Sequence, residues 1–252
     1  QRGLFVAEGR RVVEALLSGG RFDVERLLLS RSAYESLTAD LALLPEAVDV
    51  LVVGGPSDLR DITGYRFHQG CLALARRPAA TGLAGTEVLR KPGPWMAVAL
   101  EGVTNPDNVG TIFRSADAFG AAAVVLSPGC AHPLYRKALR TSMGAALTLP
   151  FAHAEPWPNA LAYLQAAGVR VLALTPAADA VDLDVALGEG DETDRVLLLL
   201  GSEERGLDAL TMQRADRRVT ITMAPGADSL NVAATAAIAL QRAHATLREG
   251  RA

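Results

Sequence analysis

The sequence predicts an α/β protein whose main sheet is parallel and covered by helices on both faces. Three observations carry this. From Trp95 onward, short and nearly continuous apolar runs alternate with helical segments, as expected for strands buried on both sides. The residues before position 78 show the same alternation on a smaller scale. Between the two regions, Pro78, Gly82, Gly85, Pro92, Gly93 and Pro94 mark a linker with few large apolar side chains. The expected organisation is a small α/β domain over 1–77, a linker over 78–94 and a larger domain over 95–252.

In the front domain, Glu8–Leu17 reads as a helix because Val12, Val13, Leu16 and Leu17 share one face, and Gly19-Gly20 stops it. Val24–Leu29 reads as a strand, Ser32–Leu43 as a helix and Val48–Val53 as a strand. Pro56–Ile62 is a short helix and Cys71–Ala75 a further strand. In the second domain Met96–Leu100, Ala122–Leu126, Ala146–Leu149, Val169–Leu174 and Val196–Leu200 have strand length and composition. Val109–Phe119, Pro158–Ala167 and Leu207–Arg214 read as helices between them. Val219–Met223 is one more strand, and Leu230–Leu247 a long Ala-rich closing helix.

Composition narrows the class. Of 252 residues, 50% are hydrophobic and 21% charged, enough to bury a core and too apolar for disorder. No apolar stretch approaches the roughly 20 residues of a membrane span, and the start lacks the basic-then-apolar layout of a signal peptide. Cys71 and Cys130 are too few and too far apart for a disulfide scaffold or a metal site, and His132, His153 and His244 show no ligand spacing. A cytoplasmic protein without metal is the expectation. The net charge of −3 speaks against a nucleic-acid binder until its distribution is read. Residues 1–91 carry 12 basic and 11 acidic residues, whereas 161–252 carry 9 and 13. Seven of those acids fall between Asp179 and Asp194, a run expected to face away from any RNA. Of the 25 basic residues 23 are Arg, which suits phosphate recognition and suits a GC-rich genome equally.

Three segments do not read as ordinary core. Asn105-Pro-Asp-Asn-Val-Gly-Thr-Ile-Phe-Arg114 is a polar turn entering a helix, which Asp107 or Asn108 can cap. Leu197–Leu207 is a buried strand that breaks at Gly201-Ser202-Glu203, where open α/β sheets bind ligands. It carries no dinucleotide fingerprint, nucleophile elbow or phosphate-loop lysine. In Ile221–Val232, Ser229 can cap the last helix, and Asn231 is a polar side chain at a helix start that needs a partner.

Together, N-x-x-N-x-G-x-x-x-R, L-G-S-E-x-x-G-L and S-L-N-V, in that order, resemble the TrmH/SpoU family of RNA 2′-O-ribose methyltransferases in the SPOUT superfamily. The resemblance runs from about Trp95 to Leu247. Phe5-Val-Ala-Glu-Gly-Arg-Arg-Val-Val-Glu-Ala-Leu-Leu17 and Phe67–Ala75 are similar to the substrate-binding domain often attached to this family, a fold like that of small ribosomal RNA-binding proteins.

The resemblance implies a deep trefoil knot, a rare exception to topology rules, and a homodimer formed partly through the last helix. It implies S-adenosylmethionine held by Gly201, Ser202, Ile221, Met223 and Leu230. Arg114 matches the catalytic arginine, polarising a ribose 2′-hydroxyl or stabilising the alkoxide, and Asn108, Glu203, Ser229 and Asn231 match positions that shape the site. Asn105 is supportive. Thr222 departs from the pattern, standing where proline is frequent. Candidate RNA contacts are Arg10, Arg11, Arg66, His68, Arg76, Arg77, Arg136, Lys137 and Arg140. Ribosomal RNA is the expected substrate, with transfer RNA as the variant. A non-catalytic RNA-binding or ribosome assembly factor on the same fold is the alternative, against which the intact Arg114, Glu203, Ser229 and Asn231 count.

Overall fold

The computed structural model describes residues 3–54, 58, 70–79, 82–83, 86–87, 91–190 and 194–249. Its elements, in chain order, begin with β1 (Leu4–Glu8), α1 (Arg10–Gly19), β2 (Val24–Ser30), α2 (Arg31–Ser36), α3 (Thr38–Leu41), β3 (Asp49–Val53) and β4 (Cys71–Arg76). There follow β5 (Trp95–Glu101), α4 (Pro106–Ala118), β6 (Val124–Leu126), α5 (Arg136–Thr141), α6 (Ala145–Thr148), β7 (Phe151–His153), α7 (Leu161–Ala166) and β8 (Arg170–Leu174). The last are β9 (Val181–Asp182), α8 (Leu183–Gly188), β10 (Arg195–Gly201), α9 (Ala209–Arg214), β11 (Arg217–Thr220) and α10 (Val232–Glu249). The chain divides into two compact units, Gln1–Ala79 with His132–Thr148, and Ala80–Ala131 with Leu149–Ala252.

In the first unit the strand order is β1-β4-β2-β3, with β4 antiparallel to both neighbours and β2 parallel to β3. The predicted helix at Glu8 begins later, because Leu4–Glu8 pairs with β4 and Glu8 ends that strand. Gly9, at φ 94, turns the chain into α1, a conformation that glycine adopts without steric cost. Val12, Val13 and Leu16 then bury one face of α1, and Gly20 closes it in the left-handed region. The predicted helix 32–43 is two short helices meeting at Leu37, which is buried. The predicted helix 56–62 lies outside the described residues except for Asp58. Burial in β4 pushes the Cys71 thiol up to about 12.

Residues 132–148 join this unit through specific contacts. Arg136 Nε lies 2.7 Å from the buried carboxylate of Glu8. Arg21 donates to the carbonyls of Leu147 at 3.3 Å and Thr148 at 3.1 Å. Gly144 passes so close to α1 that a Cβ there would lie 2.7 Å from Ala15 Cβ. The predicted strand Ala146–Leu149 is instead α6, and the neighbouring strand is β7. A run of four apolar residues cannot tell a buried helix from a strand by periodicity.

The second unit is built on a seven-stranded sheet of order β7-β6-β5-β10-β8-β11-β9. Among the described residues all pairs of neighbouring strands in it are parallel, which bears out the predicted α/β class. Val196–Leu200 of β10 are buried throughout, as a central strand covered on both faces requires. Along β10 and β5 the register runs from Arg195↔Trp95 to Gly201↔Glu101, so both strands end together. The predicted strand 219–223 starts and stops earlier, at Arg217–Thr220, and the acidic run contains β9 and α8. That run is largely used inside the unit. Asp179 pairs with Arg218 at 2.8 Å, Asp184 with Arg242 at 3.5 Å and Glu189 with Arg217 at 3.3 Å. Asp194 forms a two-pronged pair with Arg170, and the guanidinium is held above its ordinary pKa chiefly by that bond. Among the described residues no helix is long and apolar enough to cross a membrane.

Replacing Arg136 with Met leaves the buried Glu8 carboxylate without its cation. A loss of about 2–3 kcal/mol in urea unfolding is expected, below the full value for a buried pair because Arg136 is half exposed. The double variant Glu8→Leu/Arg136→Met recovers most of it. A single-variant loss under about 0.5 kcal/mol contradicts this role.

Candidate functional site

Parallel strands bring their carboxyl ends to one edge of the sheet, and the turns leaving β5, β10 and β11 meet there. β10 ends in Gly201, and the next residues form a tight turn. Gly206 N donates to the Ser202 carbonyl at 2.9 Å, and Ser202 Oγ accepts from Arg205 N at 3.3 Å. The returning backbone crosses directly over Gly201. A Cβ at that position would lie 2.1 Å from the Gly206 carbonyl carbon and 2.3 Å from Leu207 N. Only glycine permits that crossing.

Glu101, at the end of β5, fixes the far side of the same turn. Its Oε1 accepts from Trp157 Nε1 and from Thr211 Oγ1, each at 2.8 Å, and its Oε2 accepts from Asp208 N at 3.1 Å. Sequence reasoning misses this residue. The available signal is an acid ending an otherwise apolar strand.

The three polar segments are joined through Asn108. The cap of α4 is Asn105, whose Oδ1 accepts from Asp107 N at 2.9 Å, with Pro106 opening the helix. Asn108 is therefore released from the predicted capping role. Its Nδ2 donates to Glu203, and its Oδ1 accepts from Asn231 Nδ2 at 3.3 Å. Asn231 Oδ1 accepts from Ala233 N at 2.9 Å and Ala234 N at 3.4 Å, which makes Asn231, rather than the predicted Ser229, the cap of α10. The order of donors is dictated by chemistry. A carboxylate only accepts, so the Asn108 amide nitrogen faces Glu203 and its oxygen faces Asn231; free helix N–H groups only donate, so the Asn231 oxygen faces α10.

Around this network lies a cleft of about 650 Å³, within the usual size for a small-molecule site. Leu200, Leu207, Val219, Ile221, Met223 and Leu230 supply apolar walls, and backbone groups at the strand ends supply polar edges. Gly201, Ser202, Glu203, Ser229 and Asn231 also line it, and Asn108 touches it through Glu203 and Asn231. Arg114 is exposed and is not among the lining residues. It lies about 9 Å farther along α4 than Asn108 and about 120° around the helix.

Of the candidate RNA contacts, Arg10, Arg11, Arg76, Arg77, Arg136, Lys137 and Arg140 all fall in the first unit. Arg11, Lys137 and Arg140 are exposed and Arg10 is half-buried, while Arg76 pairs with Glu25 and Arg136 with Glu8. Arg66 and His68 lie outside the described residues.

The model of the SpoU rRNA Methylase family matches residues 96–241. A Mycobacterium tuberculosis protein described as an uncharacterized tRNA/rRNA methyltransferase is 38% identical over 239 residues, covering 94% of this chain and 80% of its own. The crystal structure of an AdoMet-bound rRNA methyltransferase from Sinorhizobium meliloti is similar at a TM-score of 0.78 and 29% identity, over 97% of this chain and 88% of that one. A crystal structure of an RNA 2′-O ribose methyltransferase matches at a TM-score of 0.73 and 27% identity, over 99% and 90% of the two chains.

The crossing over Gly201 separates two glycines that look alike in sequence. Gly201→Ala should cost about 3 kcal/mol or more, because the turn must move. Gly206→Ala, at φ 64 in open space, should cost only about 1–2 kcal/mol. Thermal unfolding of the pair checks the order, and equal losses contradict it.

Proposed function

Because the chain belongs to the SpoU rRNA methylase family, we propose that it transfers a methyl group from S-adenosylmethionine to a ribose 2′-hydroxyl of RNA, most specifically ribosomal RNA. The observation that carries this is the convergence of Glu203, Asn108 and Asn231 at one apolar-walled cleft. The cleft fits the cofactor chemically: apolar side chains suit a flat base, and the backbone at Gly201, Ile221 and Leu230 suits its polar edges and the ribose, with Ser202 and Met223 alongside. When bound, the cofactor supplies an electrophilic methyl group.

The residues of this chain do the rest. A ribose hydroxyl is a poor nucleophile until its proton begins to leave. Arg114 polarises that hydroxyl and stabilises the developing alkoxide. A guanidinium stays protonated and has no free lone pair to take the proton, which would leave to water as the O–CH3 bond forms and the methyl–sulfur bond breaks. Asn108, Glu203, Ser229 and Asn231 shape the site and orient the reacting groups. The first unit holds RNA phosphates through exposed cations such as Arg11 and Arg140. The proposed assembly is a homodimer through the second unit, with the chain around the cleft drawn into a trefoil knot. The names of the relatives support the RNA substrate, and that of the 2′-O ribose methyltransferase supports the acceptor atom.

Calorimetry with S-adenosylmethionine tests the reading first. The folded protein should bind it, and absence of binding would leave the non-catalytic RNA-binding alternative. Methyl transfer to ribosomal RNA should exceed transfer to transfer RNA. Arg114→Ala should lower transfer by about 10²-fold or more while cofactor affinity stays within about twofold. A parallel loss of both would mean that Arg114 holds the cofactor instead.

A further inference from the structure

The segment Ile221–Met223 leaves the sheet at the end of β11 and runs along the cleft. Ile221 and Met223 line the cleft, whereas Thr222 between them is exposed. That alternation is what an extended stretch produces, with successive side chains on opposite sides. On its own side, Thr222 Oγ1 donates to Asp182 Oδ2 at 2.6 Å. The other oxygen of the same carboxylate caps α8, accepting from Asp184 N at 2.9 Å.

The position of Asp182 gives this bond its leverage. β9 and β11 pair at Val181↔Val219 and Thr220↔Asp182, and among the described residues that ladder ends at Thr220. The Thr222 hydroxyl therefore continues the connection two residues beyond the ladder, where the backbone enters the cleft. α8 is itself anchored: it packs against α10, and Asp184 pairs with Arg242 of that helix at 3.5 Å. The Asp182 carboxyl is held below its usual range, first by the Thr222 bond and then by the Asp184 amide. Residues 224–231 are exposed throughout, so few packing contacts compete with this bond in setting the path of Ile221 and Met223.

We propose that Thr222 and Asp182 are positioning residues of the cofactor cleft, whose side-chain bond holds Ile221 and Met223 in the conformation that grips S-adenosylmethionine. The proposal rests on the reading of the cleft as the cofactor site. It assigns the hydroxyl of Thr222, and not its methyl group, to the task, and it makes the two residues act as one unit.

The test uses the whole 252-residue chain and S-adenosylmethionine, with affinity from calorimetry and stability from thermal unfolding. Thr222→Val keeps the shape and removes the hydroxyl; Thr222→Ser keeps the hydroxyl. Asp182→Ser keeps a cap for α8 and shortens the acceptor. The expected result is affinity about fivefold weaker in Thr222→Val and within about twofold of wild type in Thr222→Ser. Adding Asp182→Ser to Thr222→Val should weaken it no further than about twofold, as coupled partners require. The melting temperature of Thr222→Val should stay within about 2 °C of wild type, which a loss through general destabilisation would not allow. Unchanged affinity in Thr222→Val, equal losses in Val and Ser, or additive losses in the double variant each overturn the proposal. Failure of the wild-type chain to bind the cofactor overturns the cofactor-site reading itself, and this proposal with it.

Discussion

One side-chain amide ties the candidate site together. Asn108 spans two partners that lie 95 and 123 residues farther along the chain, Glu203 and Asn231. The parallel sheet makes this possible by sending the chain out of β5, β10 and β11 at the same edge. The amide makes it specific. Its nitrogen can satisfy a carboxylate and its oxygen can satisfy a second amide, so no simpler side chain performs both tasks. The far end of the chain of bonds is the start of α10, where Asn231 turns its own oxygen toward free helix N–H groups. A local helix cap and a long-range contact are thus made by the same residue.

The cleft beside this network has two unlike walls. One is the turn over Gly201, held by backbone crossing and by the three hydrogen bonds that Glu101 accepts. Its geometry has little freedom, because moving it would break contacts with the buried Thr211 and the half-buried Trp157. The other wall is the path from Ile221 to Leu230, most of it exposed and attached through fewer bonds, among them Thr222 to Asp182. On the proposed reading, a wall held by many bonds and one held by few would suit a site that admits and releases a small molecule.

Much of the second unit was legible because its signals are local and repeated. Val196–Leu200 reads as a buried central strand from composition alone, and the structure buries every residue of it. Gly201, Glu203, Asn108 and Asn231 stand out as polar or small residues at element ends, and the structure brings them to one place. What was not legible depends on partners remote in sequence. Asn105 and Asn231 are the true caps, although Asp107, Asn108 and Ser229 fit the same residue preference, because long-range bonds decide which polar group is left to cap. Glu101 carries no motif; its importance lies in Trp157, Thr211 and Asp208. The membership of 132–148 in the first unit rests on Glu8, Ala15 and Arg21, none of them near it in sequence. Within that stretch, the helix at Ala145–Thr148 and the strand expected there share one apolar pattern.

The proposed site depends on Asn108 and Asn231 acting together on the cleft. A double-mutant cycle in cofactor affinity measures this directly, with Asn108→Ala crossed against Asn231→Ser, which keeps a cap for α10 while shortening the reach to Asn108. The predicted result is a coupling of about 1 kcal/mol or more between the two positions, the second substitution costing little once the first is made. Losses that add to within about 0.3 kcal/mol would contradict it, and would mean that the two residues serve the cleft separately.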